Sequence, residues 1–151
     1  MMIGFHARDT GRMPSDAPLS RPTADDRCPC RSGSVFGDCC GPLLARSAEA
    51  PTAVQLMRSR YTAFAVGDAD YLSATWHPGT RPADTDLDEE TRWIALEIVA
   101  TERGGPFDRD GEVEFRASYR SDGERGVLHE RSRFLREGSR WFYVDGDASA
   151  V

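Results

Sequence analysis

The sequence predicts an α+β fold in which helices pack on one face of a curved antiparallel sheet, preceded by a small cysteine-bearing knuckle. Three observations carry that expectation. Apolar residues recur at spacings of three and four between residues 54 and 76, and from Trp93 onward the period changes to two. Turn-forming clusters at Gly104-Gly105-Pro106, Ser121-Asp122-Gly123 and Glu137-Gly138-Ser139 divide the later stretch into hairpins. A length of 151 residues allows one core and not two.

The elements follow in order. Pro51 and Thr52-x-x-Gln55 form a capping box, and Val54, Met57, Tyr61 and Phe64 continue as one apolar stripe to Gly67, a good C-terminal cap. Asp68 caps a second helix carrying Tyr71, Leu72 and Trp76, which must end near His77 because Pro78 restricts its predecessor. An acidic turn is expected around Asp86 to Arg92. Ile94, Leu96 and Ile98 then alternate with Trp93, Ala95, Glu97 and Val99, and Val113, Phe115, Ala117 and Tyr119 alternate with Glu112, Glu114, Arg116 and Ser118. Further strands are expected at about 126–136 and 140–146. In the third strand Leu128, Glu130, Ser132 and Phe134 share one face, and His129, Arg131 and Arg133 the other. The apolar ends of the first set turn it toward the core, so a carboxylate and a hydroxyl are expected inside.

Charge and composition narrow the function classes. The net charge is −6, and all 19 basic residues are Arg, which removes Schiff-base chemistry and a phosphate-loop lysine. Residues 1–50 carry six Arg and six acids, so the acidic excess sits in the body. Arg131, Arg133 and Arg136 fall close together, but surrounding acids cancel their field, and no nucleic acid partner is expected. No apolar run reaches the length of about 18 residues that a membrane helix needs, so no membrane partner is expected. The proline-broken opening has no export-signal pattern. A flexible tail over 1–26, a knuckle over 27–46 and a folded domain over 50–147 are expected, in a reducing cytoplasm.

All four cysteines lie in Cys28-Pro29-Cys30 and Cys39-Cys40. Clustered thiols in a reducing compartment are metal ligands rather than disulfides, and four soft sulfurs suit one tetrahedral zinc. Ser32-Gly33-Ser34 and Gly37 supply the turns, and Gly41-Pro42 follows the last ligand. The segment is too short for a core of its own, so the metal would supply its folding free energy. Four cysteine ligands leave no open position for water. One structural zinc per chain, on Cys28, Cys30, Cys39 and Cys40, is expected.

The stretch Cys28-Pro29-Cys30-Arg31-Ser32-Gly33 through Cys39-Cys40-Gly41-Pro42-Leu43 resembles a SEC-C zinc motif. Arg31 stands where the motif usually has Gly, and Val35, Phe36, Gly37 and Asp38 fill a loop that usually carries lysines. With Met57-Arg58-Ser59-Arg60-Tyr61, Ala74-Thr75-Trp76-His77-Pro78, Leu128-His129-Glu130-x-Ser132-x-Phe134 and Arg140-Trp141-Phe142-Tyr143-Val144-Asp145-Gly146, the chain resembles the YchJ-like family over residues 28–146. The resemblance implies an NTF2-like cone behind a SEC-C motif, and brings no settled activity.

Two functions are weighed on this basis. In the first, the zinc knuckle presents a surface to a protein partner and the cone holds a small ligand or nothing, which makes the chain a binding or adaptor module. In the second, cones of this class house isomerases, dehydratases and cyclases, with Glu130 or His77 as acid or base on a small apolar substrate. Arg60, Tyr61, Trp93, Ser132 and Tyr143 are the candidate pocket residues. Glu130 sealed against Arg60 would favour the adaptor, whereas Glu130 and His77 converging on an open cavity would favour the enzyme. A homodimer through the open sheet face would suit the fold.

Overall fold

The computed structural model describes residues 21–85, 87 and 90–148. Most of the expected tail and part of the acidic turn lie outside the described residues. Residues ahead of 27 already belong to the knuckle, because Phe36 N–H donates to Asp26 O at 2.7 Å and Gly37 N–H to Ala24 O at 2.9 Å. A single 3₁₀ turn, Phe36–Asp38, and a short helix α1, Cys40–Leu44, complete that segment.

Helix α2 spans Ala53–Val66 and begins as its sequence requires: Thr52 is the N-cap, its hydroxyl accepting from Gln55 N–H. It ends at Gly67, whose φ of 81° is the left-handed cap. Its burial is wider than the expected stripe. Ser59, Arg60, Thr62, Ala63 and Ala65 are buried with Leu56, Met57 and Tyr61, while Val54 and Phe64 are only half-buried. The reason is that α2 is covered on several sides, packing on β1, β2 and β4, on α1 of the knuckle, and on α3, where Ser59 meets the Tyr71 hydroxyl and Arg60 donates to Leu72 O. Helix α3, Ala69–Ala74, is capped by Asp68, whose carboxylate accepts from Tyr71 N–H at 3.0 Å. It stops short of His77. The chain beyond it pairs with the sheet, His77 N–H donating to Tyr143 O at 2.7 Å and Tyr143 N–H to Thr75 O at 2.9 Å.

Four strands, β1 Thr91–Arg103, β2 Asp110–Ser121, β3 Glu124–Glu137 and β4 Arg140–Ala148, form one antiparallel sheet in that order. Strand β2 alternates as its sequence predicts, with Val113, Phe115 and Ala117 buried. Strand β1 does not. Its register slips between Trp93 and Ala95, so Trp93 joins Leu96 on the core face instead of lying opposite it. A bulge puts two residues against one, and a simple period of two cannot carry across it. A second slip separates Ile98 from Ala100. No helix among the described residues is long and apolar enough to cross a membrane.

Candidate functional site

The four cysteine sulfurs lie within 4.8 Å of one another. A tetrahedral ion with bonds of about 2.3 Å requires sulfurs about 3.8 Å apart. Cys30 and Cys39 sulfurs stand at 3.6 Å and those of Cys39 and Cys40 at 3.9 Å. Local structure explains the convergence. The turn after Cys28, in which Arg31 N–H donates to Cys28 O, folds the first pair back, and the 3₁₀ turn brings the second pair to meet it. Arg31 adopts a left-handed φ of 65°, which accounts for the usual glycine there. Its side chain offsets that strain by donating to Ile94 O at 3.2 Å, tying the knuckle to β1.

Polar groups surround the sulfurs. Thr62, fully buried on α2, donates to Cys40 Sγ at 3.4 Å and stands 3.9 Å from Cys28 Sγ. Ser32 Oγ lies 3.2 Å from Cys39 Sγ. Arg58 donates to Cys30 O at 2.9 Å and approaches Cys30 Sγ at 3.8 Å. Sequence reasoning missed Arg58 and Thr62. Their one signal was the i and i+4 spacing, which puts both on one face of α2. Hydrogen bonds from Cys28 and Cys40 hold the Cys30 thiol far below its ordinary range. Burial pushes Cys39 up to about 11, and the contacts of Cys40 with Cys28 and Cys30 push Cys40 up as well. The cluster thus stabilises one thiolate by sharing its neighbours' protons, and a dication that displaces those protons would satisfy all four sulfurs. The donor set fits a metal ion.

A second cluster lies inside the sheet. Glu130 is 2% exposed, as the alternation of β3 predicts. Ser132 Oγ donates to Glu130 Oε2 at 2.9 Å and the Tyr143 hydroxyl donates to the same oxygen at 3.4 Å. Gly146 leaves the space, because a Cβ there would overlap that oxygen and stand 2.8 Å from Cδ. Burial, and then the Glu130 charge, raise Tyr143 and keep it a phenol. Arg60, 1% exposed, donates through Nη1 to Leu72 O at 2.9 Å and Thr75 Oγ1 at 2.6 Å. Its guanidinium lies 4.7 Å from the Tyr143 ring centroid and 5.3 Å from that of Trp76. Burial lowers Arg60 to about 10, with the charge of Glu130 among the influences that oppose this fall. Tyr143 therefore touches both charged groups, Arg60 through its ring and Glu130 through its hydroxyl. Arg60 Nη2 and Trp76 Nε1 are buried donors facing no acceptor among the described residues.

The structure brings Glu130, Ser132, Tyr143 and Arg60 together and leaves the other candidates elsewhere. His77 Nε2 meets Glu137 at 2.7 Å, Nδ1 accepts from Gly79 N–H, and the ring packs edge-on against Phe142. Phe142 and Tyr143 are neighbours on β4 and point to opposite faces, so His77 lies on the side of the sheet away from Glu130. Tyr61 and Trp93 line a different space. It is a cleft of about 900 Å³ between knuckle and cone, bordered by Arg21, Arg27, Arg31 and Asp26. On the outward face, Arg131 pairs with Glu102, Glu112 and Glu114, and Arg133 with Asp145 and Asp147, whereas Arg136 donates to the backbone carbonyls of Asp108 and Gly138.

With this geometry in view, residues 52–146 match the family described as the middle NTF2-like domain of YchJ. A UPF0225 protein of Streptomyces avermitilis is 52% identical over 130 residues, covering 86% of this chain and 89% of its own. The chain belongs to the YchJ-like family. Another such protein, from Streptomyces coelicolor, is 53% identical over 120 residues, which cover 80% of this chain and 94% of that one. Among solved structures, a SEC-C motif containing protein from Rhodopseudomonas palustris superposes with a TM-score of 0.71 at 36% identity, covering 82% of this chain and 98% of that one. A SEC-C motif containing protein from Psychrobacter arcticus gives 0.67 at 27% identity over 85% of each chain. For this YchJ-like chain the NTF2-like fold and the cysteine cluster of SEC-C type are therefore shared properties. None of these names attaches an activity.

Proposed function

We propose that the protein is a binding or adaptor module of the reducing cytoplasm, in which one structural zinc on Cys28, Cys30, Cys39 and Cys40 locks the knuckle onto the cone. The observation that carries this reading is that the sulfurs are served by α2 itself, through Thr62 and Arg58. The metal would thereby fix the position of a surface rather than present an open coordination site. Zinc would add two positive charges to four thiolates, and Arg58 stands beside the remaining negative charge. Thr62 and Ser32 hold the sulfurs with hydroxyl donors, as groups behind metal ligands commonly do.

The arrangement around Glu130 supports the same reading. Its carboxylate is sealed at 2% exposure and engaged by Ser132 and Tyr143, while His77 is held by Glu137 on the other face. An acid–base pair on one substrate needs both groups within reach of the same atoms. Native mass spectrometry of protein purified without chelator or added metal tests the proposal. One zinc per chain is the expected result; a metal-free mass overturns it, and a small molecule carried in the cone moves the enzyme reading ahead.

A further inference from the structure

The outward face of the sheet carries its charges in rows, and one row differs from the rest. In the middle and far rows opposite charges meet across the strands: Arg116 faces Glu97, His129 pairs with Glu114, and Arg131 and Arg133 pair with the acids around them. At the end nearest the knuckle, Arg92 on β1 is registered directly against Arg120 on β2, and Arg120 against Arg125 on β3. All three are exposed, and none forms an ion pair among the described residues. The tight Asp122-Gly123 turn, with φ of 54° and 82°, holds Arg120 and Arg125 side by side. Neighbouring strands are about 4.8 Å apart, so three like charges stand in a line about 10 Å long. Like charges directly opposite destabilise a sheet, so the row works against folding in a chain with acids to spare.

The ground around the row is concave and partly apolar. A groove of about 390 Å³ is lined by the three arginines with Glu90, Ile94, Asp122 and Gly123. An adjoining hollow of about 380 Å³ is lined by Ile94, Ala95, Tyr119 and Val127 among others, and Val127 is 43% exposed. Ile94 also borders the cleft beneath the knuckle, where Arg27 and Arg31 stand. Five arginines thus border one apolar shelf, half-buried at Ile94 and Ala95 and exposed at Val127, that runs from knuckle to sheet.

We propose that this surface docks an extended acidic segment of a partner protein, its carboxylates on Arg92, Arg120 and Arg125 and an apolar side chain on the shelf of Ile94, Ala95 and Val127. Guanidinium forks match carboxylates two bonds at a time. Glu90 and Asp122 interrupt the arginines, which suits a peptide whose charges alternate with uncharged residues and opposes a continuous phosphate chain. The inference rests on the adaptor reading and gives its partner a chemistry.

The test uses the full metal-loaded chain and a fluorescent octapeptide with Glu at its first, third and fifth positions, Leu at its seventh on the same face of the extended segment, and Ser between them. Binding measured by polarisation is expected to weaken steeply with added salt. It is also expected to disappear when Gln replaces Glu in the peptide. Arg120→Glu is expected to weaken binding by more than about tenfold while raising the melting temperature, because the new carboxylate meets Arg92 and Arg125 across the strands. That gain separates lost binding from lost folding. Arg133→Ala, remote from the row, is expected to leave binding unchanged. Equal binding by wild type and Arg120→Glu, preference for a single-stranded RNA over the peptide, or no peptide binding at all overturns the inference. A zinc-only native mass in the same preparation would leave the adaptor reading standing.

Discussion

The space that Gly146 leaves for Glu130 makes a sharp prediction. Gly146 pairs with Ser132 across β3 and β4, and any Cβ there enters the volume of the Glu130 carboxylate. In Gly146→Ala that group must swing away from Ser132 and Tyr143. Each hydrogen bond to a charged acceptor contributes about 1.5–3 kcal/mol, and the 3.4 Å bond from Tyr143 belongs at or below the low end. With partial relaxation the expected cost is about 2 kcal/mol. A domain of this size loses about 4 °C of melting temperature per kcal/mol, so a fall of about 8 °C is expected by differential scanning calorimetry. Glu130→Ala alone should cost about 3–5 kcal/mol by leaving Ser132, Tyr143 and Arg60 without the carboxylate. In that background Gly146→Ala should cost under about 0.5 kcal/mol, a coupling of about 1.5 kcal/mol. Equal cost of Gly146→Ala in both backgrounds would refute the reasoning, as would a melting temperature within about 2 °C of wild type.

Other outcomes follow from the same contacts. Thr62→Val removes the hydroxyl that serves Cys40, and competition with a chromogenic chelator should show roughly tenfold weaker metal binding with the fold retained. Arg31→Ala keeps the left-handed strain and loses the bond to Ile94 O, so it should destabilise by about 1 kcal/mol in urea titrations. Arg31→Gly relieves the strain while losing the same bond, and should fall within about 0.5 kcal/mol of wild type. The buried phenols set an alkaline limit. Burial raises Tyr71 to about 12 and lifts Tyr61 and Tyr143 as well, so the folded chain keeps these protons after the unfolded chain has lost them. Their contribution is complete below pH 10 and falls through the window up to about 12, by about 1.4 kcal/mol per pH unit for each phenol. Arg60, lowered to about 10, runs the opposite way and offsets about one of the three. Unfolding followed by circular dichroism should therefore coincide with tyrosinate absorbance above pH 10.

Much of this architecture was legible in the residues. Capping chemistry placed α2 and α3, turn residues placed the hairpins, and the spacing of four cysteines placed the knuckle. The turn of Glu130 toward the core followed from Leu128 and Phe134 alone. What failed did so for identifiable reasons. A bulge after Trp93 reset the face of that side chain, and a bulge leaves no mark in a hydropathy pattern. His77 was a candidate acid or base from its place after the second helix, but the backbone pairing with Tyr143 carries its ring to the opposite side of β4 from Glu130. The Arg92, Arg120 and Arg125 row was invisible because it is a property of register across three strands, and no one strand contains it.

The placement of Thr62 and Arg58 has a consequence for the order of events as the chain is made. The cysteines leave the ribosome first, and a metal can close their short loop at once, since small loops close fast and at low entropic cost. The hydroxyl that serves Cys40 and the guanidinium that serves Cys30 arrive later, on α2. A metal-closed knuckle would thus offer the middle turns of that helix a preformed surface before any strand exists. A chain synthesised under metal starvation would release α2 with its knuckle-facing side uncovered, a form that proteases and chaperones distinguish from the finished protein.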